Sequence, residues 1–230
     1  MIRLSGVVCG LVCLLLVLPG CVGRPPDAAT EPGIWPVCTP EQAEALAADN
    51  RLSESLECFA GRARQAGKDV DAADLLRGRE LGLEAVRLDP GNGRAWYALA
   101  YLTGRLAQAH PLDGLALAKE LEAQALQAAR LDALQDKAGP DRMLGRLYLR
   151  APGFPVSVGD PEAAAEHFHK AASLAPDFPD NGIGLAEALF EVGRTDKACD
   201  ELARVFQLPG LAREQAEQIE VLRRKRCNPE

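Results

Sequence analysis

What this chain has little of sets the first limits. Aromatic residues make up 5% of its 230 positions, histidine occurs three times and methionine twice. Val, Ile and Thr, which fill pleated strands, are sparse, whereas Ala and Leu abound, so an all-α fold is expected. A net charge of −7 leaves no general basic surface for nucleic acid, whose phosphates need clustered Lys and Arg. The sequence contains no HExxH, GxSxG, P-loop or strand-linked GxGxxG pattern, and no CxxC pair. His167 and His169 lie two apart on a helical pattern and point to different sides, and His110 sits before Pro111 in a turn. With 33 acids, paired carboxylates arise anywhere by chance. The expectation is a binding protein rather than an enzyme, with no cofactor and no metal.

The amino terminus carries the longest apolar run. Met1-Ile2-Arg3 is a short basic start, and Leu4 to Leu18 is an uncharged stretch of about fifteen residues. A comfortable membrane span needs roughly 20, so the run is expected to be a secretory signal. It ends Leu18-Pro19-Gly20-Cys21, which resembles the bacterial lipobox: a Cys after a small residue, with Leu three places before it. The resemblance implies a lipoprotein, cleaved before Cys21, with palmitate-like acyl chains on that residue and a place in the cell envelope facing the periplasm. Pro19 departs from the usual small residue there, and an ordinary secretory signal cut slightly elsewhere is the alternative. Val22 and Gly23 offer no acidic retention signal, which points to the outer membrane. Residues 1–20 are thus read as signal peptide. Residues 21–39, rich in Pro, Gly and small side chains, are read as a tether, with Trp35 docking on the first helices.

Of seven cysteines, Cys9 and Cys13 leave with the signal and Cys21 takes lipid. Cys38, Cys58, Cys199 and Cys227 remain, an even number in an oxidising compartment. Three pairings are possible. Cys38–Cys58 and Cys199–Cys227 are favoured, because each joins neighbours that antiparallel helices could bring together.

From residue 40 to 230 the pattern is helical. Thr39-Pro40-Glu41, Asp160-Pro161-Glu162 and Thr195-Asp196 open helices with a cap residue, an early Pro or early acids. Asp89 to Gly93, His110-Pro111, Gly139-Pro140, Ala175-Pro176 and Gly193-Arg194 break them. Ala164, Phe168 and Ala171 form one helical face, and Ala198, Leu202 and Val205 repeat it thirty-four positions later. This resembles the tetratricopeptide pattern of paired helices with small residues at close crossings and one large apolar knob. Trp96, Leu99 and Ala100, and Leu144, Gly145 and Tyr148, begin further units. The resemblance implies a right-handed solenoid of antiparallel helix pairs. About three repeats are recognisable, preceded by a degenerate pair at about 53–66 and 71–88 and closed by a capping helix at about 211–226. Insertions at 110–114 and 150–159 depart from the family's length.

In such solenoids the first helix of each unit lines a concave face. The resemblance places Arg94, Tyr97, Tyr101 and Arg105 there, then Arg142, Arg146 and Arg150, then Ile183, Glu187 and Phe190. Arg forks beside Tyr rings suit a protein or peptide partner bearing carboxylates, such as a protein C-terminus. A solvated face with each Arg paired to an acid is the alternative. The uncharged insertion with Phe154, Val156 and Val158 is a second candidate contact, unless those side chains fold back over the helices. A fainter resemblance, to the T-component lipoproteins of TRAP solute transporters, implies instead an accessory that docks a solute-binding protein or holds a small ligand in a channel.

Overall fold

The computed structural model describes residues 34–110 and 112–227. The expected signal, most of the tether and Cys21 lie outside the described residues. Ten α-helices follow one another among them: α1 Pro40–Ala48, α2 Leu52–Ala66, α3 Ala72–Leu88, α4 Gly93–Ala109, α5 Gly114–Leu131, α6 Gln135–Arg150, α7 Pro161–Leu174, α8 Pro179–Glu191, α9 Thr195–Phe206 and α10 Arg213–Leu222. A 3₁₀ turn, Gly67–Asp69, leads towards α3, and a π-helical turn, Arg223–Cys227, continues α10. No strand occurs among the described residues; Gly153 and Gly159 form one isolated bridge.

Helix starts follow local chemistry. The Thr39 hydroxyl accepts from the Gln42 amide while the Gln42 side chain accepts from the Thr39 amide, a reciprocal cap on α1. Asp71, Asn92 and Asp160 cap α3, α4 and α7 with side-chain oxygens. The start of α6 is different. Asp136, Lys137 and Ala138 take left-handed φ values of 50°, 55° and 62°, and the regular helix resumes at the Gly139-Pro140 break read in the sequence.

Each helix packs on the next, and α2, α4, α6 and α8 also touch in series, so the helix pairs stack as a solenoid. The repeated face is buried: Ala164, Phe168, Ala171, Ala198, Leu202 and Val205 are almost inaccessible. The Phe168 ring fills the space that a side chain on Gly145 of α6 or Gly184 of α8 would occupy, so these two glycines make room for the knob. Phe59 and Leu102 press on Gly78 in the same manner near the amino-terminal end.

Both ends are closed by non-repeat segments. Residues 34–39 lie along α2 and α4, with Trp35 buried against Tyr97 and Tyr101. The last part of the stretch read as a tether is therefore part of the body. Gly61 is what admits it, because a side chain there would run into the Pro36 carbonyl. At the other end α10 buries Ile219. Cys38 is bonded to Cys58, with Cα atoms 5.4 Å apart, and Cys199 to Cys227, at 5.8 Å.

Candidate functional site

Between the two closed ends lies an open groove of about 760 Å³. Its floor comes from α4 and α6, its sides from α2, the start of α5 and the start of α8, and one end from the 151–159 insertion. Five arginines line it, Arg64, Arg105, Arg142, Arg146 and Arg150, against two carboxylates, Asp136 and Asp180. Trp35, Tyr97, Tyr101 and Phe178 supply aromatic surface.

The five arginines are not equivalent. Arg142 is buried, 6% exposed, and its fork is consumed by the fold. It donates to the carbonyl oxygens of Asp136 and Lys137, to the Asp136 carboxylate and to Asn181 Oδ1, at 2.9 to 3.0 Å. Asn181 in turn donates to Lys137 O at 3.0 Å, and Tyr97 to Asp136 Oδ2 at 2.7 Å. These contacts clamp the left-handed turn, whose non-glycine residues are costly in that region of backbone space. Burial, then the Asp136 charge, pushes the Tyr97 phenol above its ordinary range, so it stays a neutral donor. Arg105 donates to Ala63 O, Gly67 O and the Tyr101 hydroxyl. Arg146 reaches Asp180 at 3.1 Å, and Arg64 reaches Asp136 only at 3.9 Å. Arg150 is exposed and has no ion pair or hydrogen bond from its side chain among the described residues.

Of the candidates named from sequence, Tyr97, Tyr101, Arg105, Arg142, Arg146 and Arg150 come together around this groove. Four others read on the same face do not. Arg94 is paired with Glu57 and bonded to Ile34 O, just before Trp35. Glu187 and Phe190 border a separate depression of about 340 Å³, shared with Arg150 and Arg226. There Phe190 is buried beneath the Arg226 guanidinium, 4.7 Å from its ring centroid, and Gln218 of α10 donates to Glu187. Ile183, read on the same face, is buried in the carboxy-terminal core. In the insertion, Phe154 is 93% exposed and Val156 is also exposed, so neither folds back; Val158 is half-buried.

Sequence reasoning missed Arg64, Asp136 and Ser157 as lining residues. Ser157 is buried, and its hydroxyl and the Trp35 indole nitrogen have no hydrogen-bond partner among the described residues. His167 of α7 is half-buried against α6. There it meets Asp141 at 2.9 Å and stacks on Tyr148. Burial raises the Asp141 carboxyl, but hydrogen bonds from His167 and Lys170 outweigh it and leave the pKa below its ordinary value.

Residues 156–207, which span α7 to α9, match the family model of the tetratricopeptide repeat. The match assigns a tetratricopeptide repeat to this stretch of the chain. Among solved structures it is similar to a thermophilic tetratricopeptide repeat protein of Thermus thermophilus. The two share 18% identity at a TM-score of 0.51, over 79% of this chain and 95% of that one. At that identity the likeness speaks to the fold. No curated protein matches in sequence. A helix-pair solenoid of this kind suggests a protein-interaction scaffold. Its groove falls on the first helices of successive pairs, which the sequence reading selected.

Proposed function

We propose that this protein is a lipid-anchored scaffold of the cell envelope that holds a protein or peptide partner in its groove. One observation carries the reading. A chain with net charge −7 gathers five arginines around an aromatic-floored groove that both end segments leave uncovered. Exposed apolar tips at the same edge, Phe154 and Leu112, add contact surface of the kind found at interaction sites. The lipobox-like Cys21 supports an anchor on the periplasmic side, at the outer membrane.

The reading is tested by photocrosslinking in intact cells. A photoreactive residue at Ala118, in the groove, should capture a partner, whereas one at the exposed Leu126 should not. Capture from Leu126 alone would place the partner elsewhere and sink the proposal. For the anchor, Cys21→Ser should release the protein from membranes; retention would remove the lipid from the account. The accessory role beside a TRAP transporter called for a continuous apolar tunnel. The groove is open along one side and has a polar network in its floor, which favours the scaffold.

A further inference from the structure

The groove's own chemistry narrows its occupant; this step rests on the groove being the partner's seat. Its charge is unbalanced, with five arginines to two carboxylates. Both carboxylates are already engaged: Asp136 by Arg142 and Tyr97, and Asp180 by Arg146 and by Gln215 at 2.7 Å. What remains outward is positive, above all Arg150. In an acidic protein such a patch attracts carboxylates and repels cations. The rest of the lining is apolar or aromatic. The two insertions that lengthen the repeats meet here: Gly114 and Leu115 wall one side and Ala151, Pro152 and Ser157 the other. Above them Leu112, 99% exposed, and Phe154 present apolar surface to solvent. The buried Trp35 indole N–H, with no acceptor among the described residues, lies in the same lining. A wholly acidic occupant would leave the apolar walls wet, and a wholly apolar one would leave Arg150 unanswered.

We infer that the occupant is an acidic protein segment carrying an apolar anchor. Its carboxylates meet Arg146 and Arg150, and its anchor side chain lodges against Trp35, Tyr101 and Leu115 between the two insertions. Recognition is then two-part. Charge sets the approach and depends on salt, and the anchor sets the residence.

Fluorescence anisotropy with three labelled hexapeptides tests this on the full chain. The probes are Asp-Glu-Leu-Phe-Asp-Glu, the same peptide with every acid replaced by Lys, and the same peptide with Leu-Phe replaced by Ser-Ser. The first should bind about tenfold tighter than either control at low salt, and Arg150→Glu should cost it about tenfold. Arg150 has no partner to lose, so this variant should fold, which circular dichroism checks. Equal binding of the Lys peptide or of the Ser peptide overturns the assignment, as does indifference to Arg150→Glu. Binding of dodecanoate with no peptide bound would assign the groove to a small amphiphile and overturn it too. Partner capture from Ala118 in cells, alongside peptides that show no such preference, would leave the scaffold standing and remove only this inference.

Discussion

At the amino-terminal end the chain enters the solenoid as an extended strap, laid against α2 and α4 with Trp35 as its peg. At the carboxy-terminal end a helix, α10, lies over the last repeat, and its π-helical tail brings Arg226 onto Phe190. Both segments are tied by a disulfide, yet they treat the inner face differently. The strap adds an aromatic floor without covering Tyr101 and Arg105, whereas the carboxy-terminal cap occupies the face it touches. A repeat array exposes the same kind of surface at every unit, and here its ends decide which unit is open. The groove lies over α4 and α6, where the strap adds Trp35 to the lining and the carboxy-terminal cap adds no lining residue.

This contrast can be broken by substitution. The largest effect should come from the knob inside the repeats. Phe168→Ala should cost about 3–5 kcal/mol, and Trp35→Ala should cost less if the strap is laid on a solenoid that stands without it. Chemical denaturation of both variants decides; equal losses would make the strap part of the same cooperative core. Next come the staples. Opening Cys199–Cys227, by changing both to Ser, should cost about 3 kcal/mol and show in hydrogen exchange as lost protection in α10. Opening Cys38–Cys58 should cost a similar amount but loosen the strap and with it the groove floor. Protection lost in α10 from either change would deny that the ends act separately.

Gly61→Ala should follow, at about 1–3 kcal/mol, because the new methyl meets backbone at Pro36 and the strap has to lift. In a Trp96→Phe background the fluorescence of Trp35 should then shift to the red as its ring meets water. Gly184→Ala, which meets the Phe168 ring instead, should destabilise with no such shift. The smallest effect is with pH. The Asp141 carboxyl is held below its ordinary 3.8 by His167 and Lys170, so its contribution is present above that value and fades as pH falls through the lower folded one. Between about pH 5 and pH 2.5 the parent should lose more stability than Asp141→Asn does, as read by thermal melts. Parallel losses would leave Asp141 without a pH-dependent role.

Much of this architecture could be read beforehand, because its causes are local or periodic. The thirty-four-residue return of Ala164, Phe168 and Ala171 as Ala198, Leu202 and Val205 needs only helix geometry and a fixed repeat. The caps at Thr39 and Asp160 need only a side chain within three residues. What stayed hidden depends on partners distant in sequence. Arg94 is drawn to Glu57, thirty-seven residues away. Arg142 turns inward because three residues without a glycine among them adopt a left-handed turn, and no pattern announces that. A stripe of Arg142, Arg146 and Arg150 looks uniform by spacing, yet Arg142 is buried in the fold while Arg146 and Arg150 are exposed, so only those two are available to a guest. Phe190 was hidden for another reason: α10 is a recognisable helix, but nothing local says where it lies.

The 151–159 insertion is pinched at its neck. The Gly159 amide donates to Pro152 O at 2.8 Å, the Asp160 amide to Tyr148 O at 3.0 Å, and Gly159 sits so close to Ala151 and Pro152 that a side chain would not fit. Those backbone groups close the neck, and at the crown Phe154 and Val156 stand exposed while Ser157 is buried against the groove. Phe154 and Val156 could therefore be exchanged with the architecture unchanged, which makes the tip of the insertion a place where contact chemistry is set independently of the fold.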